Sequence, residues 1–356
     1  MKYLLGIDFG GGASKATLLC EDGTVCQTNT VEYPTYYLKP GFAEQNPQDW
    51  VNAICENIHA VLEKSNINPK DIAALALDAA THTAVITDEN FNVLRNAIYW
   101  TDTRSTKEVQ FLKDNYSELI EKQVLHKPDT IWTLPELLWI KNNEPHIWKN
   151  VRKVLFAKDY VRHCLTGDYV TDYIEAEGSM LFDINKMQWS RELCQILDIK
   201  TEMLPKIVNP TDIVGKITAK SAKMCGLTEG TPVLCGTTDT VMEVFASGAV
   251  KKGQMTLKLA TAGRICVVTD KPYPDINLIN YSHVVDKMFY PGTATKSCAA
   301  SYRWFRDTFG GDYSELDNAA EKIEIGCDGL VFHPYLNGEL TPYANPKLCA
   351  DFVGVR

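Results

Sequence analysis

The sequence predicts an α/β protein, and three stretches carry that expectation. The opening YLLGIDFGGGASKATLL (Tyr3 to Leu19) reads as strand, tight glycine turn and strand. IAALALDAA (Ile72 to Ala80) is a short, nearly all-apolar run, as expected of a strand buried on both sides. TPVLCGTTDTVMEVFASGAV (Thr231 to Val250) reads as a buried strand, a polar turn centred on Asp239 and a helix.

The first element ends on Asp8, and Gly10-Gly11-Gly12 follow. A dinucleotide fold also places glycines after a strand, but it then opens a helix with a third glycine; here Lys15 follows and the chain runs on as Ala16-Thr17-Leu18-Leu19-Cys20 to a Glu21-Asp22-Gly23 turn. The G-x-x-x-x-G-K-S/T pattern is absent too, so the stretch suggests a phosphate-gripping hairpin of another kind. Val25 to Tyr33 is a third strand. A helix starts at Asn46-Pro47, where proline suits the first turn, with Trp50, Ile54, Ile58 and Leu62 on one face. HTAVITDENFNVLRNAIYW reads as a hairpin turning at Asp88-Glu89-Asn90. A helix-rich middle spans roughly Asp102 to Leu204 and includes PELLWIKNNEPHIW, an amphipathic helix ending at Glu144-Pro145. From Gln254, QMTLKLATAGRICVVTD repeats the opening pattern of strand, small-residue turn and strand, with Gly263 in the turn. A phosphate turn used twice suits two related lobes. The boundary falls at Gly248 to Gly253, a short polar stretch.

The 356 residues allow two or three domains with a well-buried core, and 45% hydrophobic against 23% charged residues is ordinary for a soluble globular protein. A net charge of −9 and a pI near 5.4 argue against nucleic acid and anionic membrane surfaces as partners. No run approaches the roughly 18 apolar residues of a membrane span, and the N-terminal apolar run, broken by Asp8, is too short for a signal peptide. The 11 cysteines are scattered without a C-x-x-C pair, which suggests buried reduced thiols in a cytoplasmic protein, and the seven histidines show no H-x-x-x-H spacing for a transition metal.

Taken together, GIDFGGGASKATLL, GFAEQNPQDW, DAATHTAVITD, AIYWTDTR, PELLWIKNNEP, LFAKDYVRHCLTGDYVTDY with EGSMLFD, CGTTDTVMEVFASGAV and LKLATAGR resemble the FGGY family of carbohydrate kinases, most closely its xylulokinase-like branch. The stretches occur in family order and cover nearly the whole chain. The resemblance implies two ribonuclease-H-like lobes of the actin/hexokinase-like ATPase fold. Residues 1–248 would form the sugar-binding lobe, with the phosphate hairpin and the catalytic base, and 249–356 the start of the nucleotide-binding lobe. It also implies ATP and Mg²⁺ as cofactors, a small-molecule sugar as substrate, and no nucleic-acid or membrane partner; a homodimer is left open.

The site residues follow from the same resemblance. Asp239 in GTTD matches the family's catalytic base, although it can also cap the helix after it. Asp8 matches the acid that holds the Mg²⁺ of MgATP, generally through water. Gly10, Gly11 and Gly12 match the turn that lets backbone N–H groups approach phosphate oxygens, and Lys15 adds positive charge there or is a solvated strand residue. Thr261 and Gly263 match the second phosphate turn, here Ala-Thr-Ala-Gly where the branch usually has Gly-Thr-Ser-Gly. Thr81 and His82 match the sugar-site segment, which reads Ala80-Thr81-His82-Thr83 in place of Gln-Met-His-Gly. Trp100, Asp102 and Arg104 match a W-x-D-x-R pattern near the sugar cleft, with core packing as the alternative for Trp100 and for His82. Glu136 stands where the family commonly has Lys, and its helix reads as structural.

Family members normally run well beyond position 356, so the nucleotide lobe is expected to be incomplete and to expose apolar surface. The favoured expectation is an ATP-dependent kinase acting on a primary hydroxyl of a pentulose, D-xylulose. A kinase for gluconate or L-xylulose, an actin- or chaperone-like ATPase acting on a protein, and a non-catalytic fragment stand as alternatives.

Overall fold

A computed structural model describes residues 2–124, 126–273, 278–336, 338–343, 345 and 347–356. The chain divides into two compact units, Met1–Ala246 and Ser247–Arg356. The first unit opens with β1 (Tyr3–Phe9), β2 (Ala13–Cys20) and β3 (Val25–Glu32), joined as antiparallel neighbours. After the two-residue β4 (Glu44–Gln45) comes α1 (Pro47–Ser65), whose N-cap Asn46 accepts from the Gln48 N–H. Its face of Trp50, Ile54, Ile58 and Leu62 is buried against β2 and β3, as the periodicity predicts. Each such side chain contributes about 1.5–3 kcal/mol.

β5 (Ile72–Ala79) lies parallel to β1 in the middle of the sheet. The expected burial on both faces is corrected: Leu75, Leu77 and Ala79 are in the core, but Ala74, Ala76 and Asp78 are only half-buried. The small side chains on that face leave it accessible. The strands β6 (Ala84–Thr87) and β7 (Ala97–Ile98) flank a turn whose Asp88 carboxylate accepts from the backbones of Asn90 and Asn92. The expected hairpin continues only to a Thr87–Val93 bridge and a Leu94-to-Ile86 bond. β7 instead pairs β4, and β6 takes its main partner from later in the chain. Local sequence sets the turn, while distant packing sets the partners.

The helix-rich middle contains α2 (Thr106–Gln123), α3 (Thr133–Asn143) and α4 (Pro145–Trp148), then β8 (Lys153–Phe156), which is the partner of β6, and α5 (Ala157–Thr166). β9 (Val170–Asp172) leads directly into the single-turn α6 (Tyr173–Gly178). A small hairpin of β10 (Phe182–Asp183) and β11 (Gln188–Trp189) and the helix α7 (Arg191–Ile196) follow. The unit closes with β12 (Lys206–Val208) beside β9, then β13 (Ile213–Lys216), α8 (Ala219–Cys225), β14 (Pro232–Leu234), β15 (Thr237–Thr238) and α9 (Asp239–Ala246). The main sheet runs β13-β14-β5-β1-β2-β3, with β15 also pairing β5.

The second unit contains an antiparallel sheet of β16 (Met255–Leu259), β17 (Gly263–Val267) and β18 (Gly292–Thr295), followed by α10 (Ala299–Phe309), α11 (Tyr313–Ala320) and the pair β19 (Val331–His333) and β20 (Asp351–Val353). Strand, turn and strand recur here as read from the sequence. Met255, Leu257 and Leu259, at alternate positions of β16, are exposed.

The cysteine expectation needs one correction. Cys20 and Cys26 form a disulfide between β2 and β3, because the intervening Asp22-Gly23 turn folds the two strands onto one another. Among the other nine, Cys55, Cys194, Cys225, Cys235 and Cys266 are buried thiols as expected, whereas Cys327 and Cys349 are exposed. No helix among the described residues is long and apolar enough to cross a membrane.

Candidate active site

Sheet register assembles the first part of the site. Asp8 at the end of β1 pairs with Lys15 on β2 and with Asp78 on β5, and Asp78 in turn pairs with Thr237 on β15. Residues in register project to the same face. The row Lys15, Asp8, Asp78, Thr237 therefore crosses four strands on the side opposite the Leu5, Ile7, Phe9 core. Lys15 and Asp8 are exposed and Asp78 is half-buried.

Asp239 follows β15 as the first residue of α9, so the pairing of β15 with β5 delivers it to the same edge. Burial pushes its carboxyl up to about 6, with Glu243 one turn later and Asp8 adding to the rise and the Thr240 hydroxyl opposing it. Asp78 is pushed up to about 9, by burial first and then by Asp8, Asp239 and Glu243. Four acids thus sense one another at the mouth of the sheet. Among the described residues no three metal-ligating side chains converge closely enough to cage an ion. An all-oxygen set with so few direct ligands fits a magnesium ion that keeps most of its coordination for water and phosphate.

The glycine turn sits beside these acids. The Gly10 carbonyl accepts from the Tyr33 hydroxyl at 2.9 Å and Gln45 Nε2 at 3.2 Å, and the Thr35 hydroxyl donates to the Gly11 carbonyl at 3.1 Å. Tyr33 N–H donates to the Gly12 carbonyl. None of the three glycines adopts a positive φ. A Cβ would meet nothing nearer than Ala80 Cβ at 3.5 Å on Gly10, Tyr99 Oη at 3.4 Å on Gly11 and the Tyr33 carbonyl at 3.7 Å on Gly12. The fold itself makes little demand for glycine here; what the missing Cβ atoms leave is room for a group to come close to the backbone.

The profile of the FGGY family of carbohydrate kinases, N-terminal domain, matches residues 3–246. The chain belongs to the FGGY carbohydrate kinases. A xylulose kinase from Bacillus subtilis is 32% identical over 359 residues, covering 100% of this chain and 72% of that protein. A gluconokinase from the same organism is 30% identical over 371 residues, covering 99% and 71%. The crystal structure of a ligand-bound xylulose kinase from Lactobacillus acidophilus superposes with a TM-score of 0.94 at 27% identity, covering 100% of this chain and 73% of that one. The fold is thus the actin/hexokinase-like one of FGGY sugar kinases, and the chain is a sugar phosphotransferase with ATP as the donor substrate of its family.

The kinase's remaining candidate residues fall into three places. Thr81 and His82 form a buried turn after β5, with His82 in the left-handed region at φ 73°. His82 Nδ1 lies 3.0 Å from the Gly178 carbonyl, which can only accept, so Nδ1 carries a proton. The Thr133 hydroxyl donates to the His82 carbonyl at 2.7 Å, and the Trp132 ring packs edge-on at 4.6 Å. Trp100, by contrast, is 41% exposed. Asp102 and Arg104 are buried and spend their polar atoms on one another, on the Ala43 N–H and on Glu44, with the Arg104 guanidinium 3.8 Å over the Phe42 ring. That arrangement fixes the loop carrying Trp100. Thr261 and Gly263 lie in the second unit, where the Thr261 carbonyl accepts from the Cys298 N–H just before α10 and Gly263 opens β17.

Four residues of the site are not marked by the motifs above. Asp78 hid inside an apolar strand, and only its pairing with Asp8 reveals it. Glu243 was detectable as the acid four positions after Asp239. Tyr99, beside Gly11, and Glu175, buried under the Thr81-His82 turn, carried no local signal.

Proposed function

We propose that this sugar kinase transfers the γ-phosphoryl of ATP to the primary hydroxyl of a pentulose, D-xylulose, giving D-xylulose 5-phosphate. The observation that carries the reading is Asp239: a carboxylate at a helix start, beside Asp8 and Asp78, with its proton affinity raised to about 6. At neutral pH it is ionised yet basic enough to take the proton of a sugar hydroxyl, a contribution of ~10²–10⁴ in rate. Asp8 would hold Mg²⁺, which when bound neutralises charge on the transferring phosphoryl group. Lys15 and the Gly10-Gly11-Gly12 turn bind phosphate oxygens, and Thr261 and Gly263 form the second phosphate turn. On the sugar side, Thr81 and His82 bind hydroxyls and Trp100 supplies an aromatic wall, while Asp102 and Arg104 orient it. Similarity to xylulose kinases supports the choice of pentulose. The gluconokinase at 30% identity and the Thr81-His82-Thr83 sequence favour gluconate as the second reading.

A coupled ADP-release assay with D-xylulose, L-xylulose, gluconate and hexuloses tests this. The highest kcat/KM is expected for D-xylulose. A preference for gluconate would replace the substrate, and ATP turnover that no sugar stimulates would overturn the reading.

A further inference from the structure

The single-turn helix α6 touches both halves of the chemistry. At its N-terminus, Asp172 Oδ1 accepts from the Ile174 N–H at 3.0 Å and the Glu175 N–H at 3.2 Å, and also from the Thr237 hydroxyl at 2.9 Å. Thr237 lies on β15, two residues before Asp239. The buried Lys158 ammonium, paired with Asp159, anchors the other Asp172 oxygen at 2.9 Å. One turn later, Glu175 Oε1 accepts from the Thr81 hydroxyl at 3.1 Å and from the His82 N–H at 3.0 Å. At the end of the helix the Gly178 carbonyl takes His82 Nδ1, and a Cβ on Gly178 would stand 2.5 Å from that nitrogen.

We propose that Glu175 is a positioning residue for sugar recognition: its carboxyl sets the Thr81-His82 turn, and α6 ties that turn to the strand leading into Asp239. The inference rests on the reading of Thr81 and His82 as sugar ligands. His82 sits in a backbone region that a non-glycine residue adopts at a cost, so the turn needs an external hold. Glu175 is 1% exposed, and burying a carboxyl there without partners would be costly. Burial pushes it up to about 8 against the pull of Lys158, so at neutral pH it is mostly a neutral acid that still accepts through Oε1. Glutamine reproduces that acceptor; alanine does not.

The test is calorimetric titration of D-xylulose into the 356-residue protein and its Glu175→Ala, Glu175→Gln and His82→Ala variants. Removing the shared acceptor of two hydrogen bonds is expected to weaken sugar binding about tenfold to a hundredfold in Glu175→Ala. Glu175→Gln should stay close to the wild-type Kd. An unfolded fraction would lower the binding stoichiometry and leave Kd alone, so a structural role alone cannot give this pattern. If Glu175→Ala does not fold, Glu175→Met fills the same volume without an acceptor and is expected to show the same loss. Weakening in His82→Ala with unchanged affinity in Glu175→Ala, or equal losses in Ala and Gln, overturns the positioning role alone. Unchanged affinity in His82→Ala, or no sugar binding by the wild type, overturns the sugar-site reading together with it.

Discussion

Asp239 and Asp78 are adjacent acids given different proton affinities by their surroundings. Asp239, near 6, gains from the Thr240 hydroxyl, whereas Asp78, near 9, lies between Asp8 and the acids of α9 and stays protonated. A base is useful only when ionised, so kcat/KM for the sugar, which reports the free enzyme, is expected to fall as pH drops through about 6 and to level off above 7. A pH–rate profile at sub-saturating sugar checks this; a flat profile from 5 to 8 would remove Asp239 from the role. Asp78 illustrates why part of the site is illegible in sequence. Its neighbours along the chain are apolar, and its significance comes from β5 lying beside β1, which no local pattern encodes. Glu175 is hidden for the same reason: its partners are 93 and 94 positions away.

At the level of elements, the legible parts were those set locally. The β1-turn-β2 hairpin, α1 with its Asn46 cap and apolar face, and the strand and helix on either side of Asp239 follow from spacing and turn chemistry, whereas the turn expected at Asp239 is instead the two-residue strand β15 running straight into α9. The β6–β7 segment did not, because the partners of those strands come from residues 44–45 and 153–156. The Cys20–Cys26 link is not legible in the sequence although the turn between them is, since pairing depends on strand register. The glycine turn makes a prediction of its own. A Cβ on Gly12 meets only ordinary contacts, so Gly12→Ala should leave the melting temperature nearly unchanged. If the turn serves phosphate, the same variant should raise the KM for MgATP by about tenfold or more, an effect of ~1.4 kcal/mol. An unchanged KM would remove the turn from phosphate binding.

For the molecule as a whole, the acid cluster couples stability to pH. The folded state holds a proton on Asp78 that an unfolded chain, with a carboxyl near 3.8, has already released. The folded state therefore binds more protons, and stability falls as pH rises from about 4 towards 9. Asp78→Asn removes that titration, so its melting temperature should decline less between pH 5 and 8 than that of the wild type, as calorimetry would show. Parallel curves would mean that Asp78 titrates alike in both states. The chain spans about 72% of the length of the relatives named above.

The most direct measurement is the rate of D-xylulose 5-phosphate formation by the wild type and by Asp239→Asn, with sugar affinity measured alongside. Loss of the proton acceptor should lower kcat by ~10²–10⁴ while sugar Kd stays within a few-fold. Near-normal turnover in the variant would contradict the account.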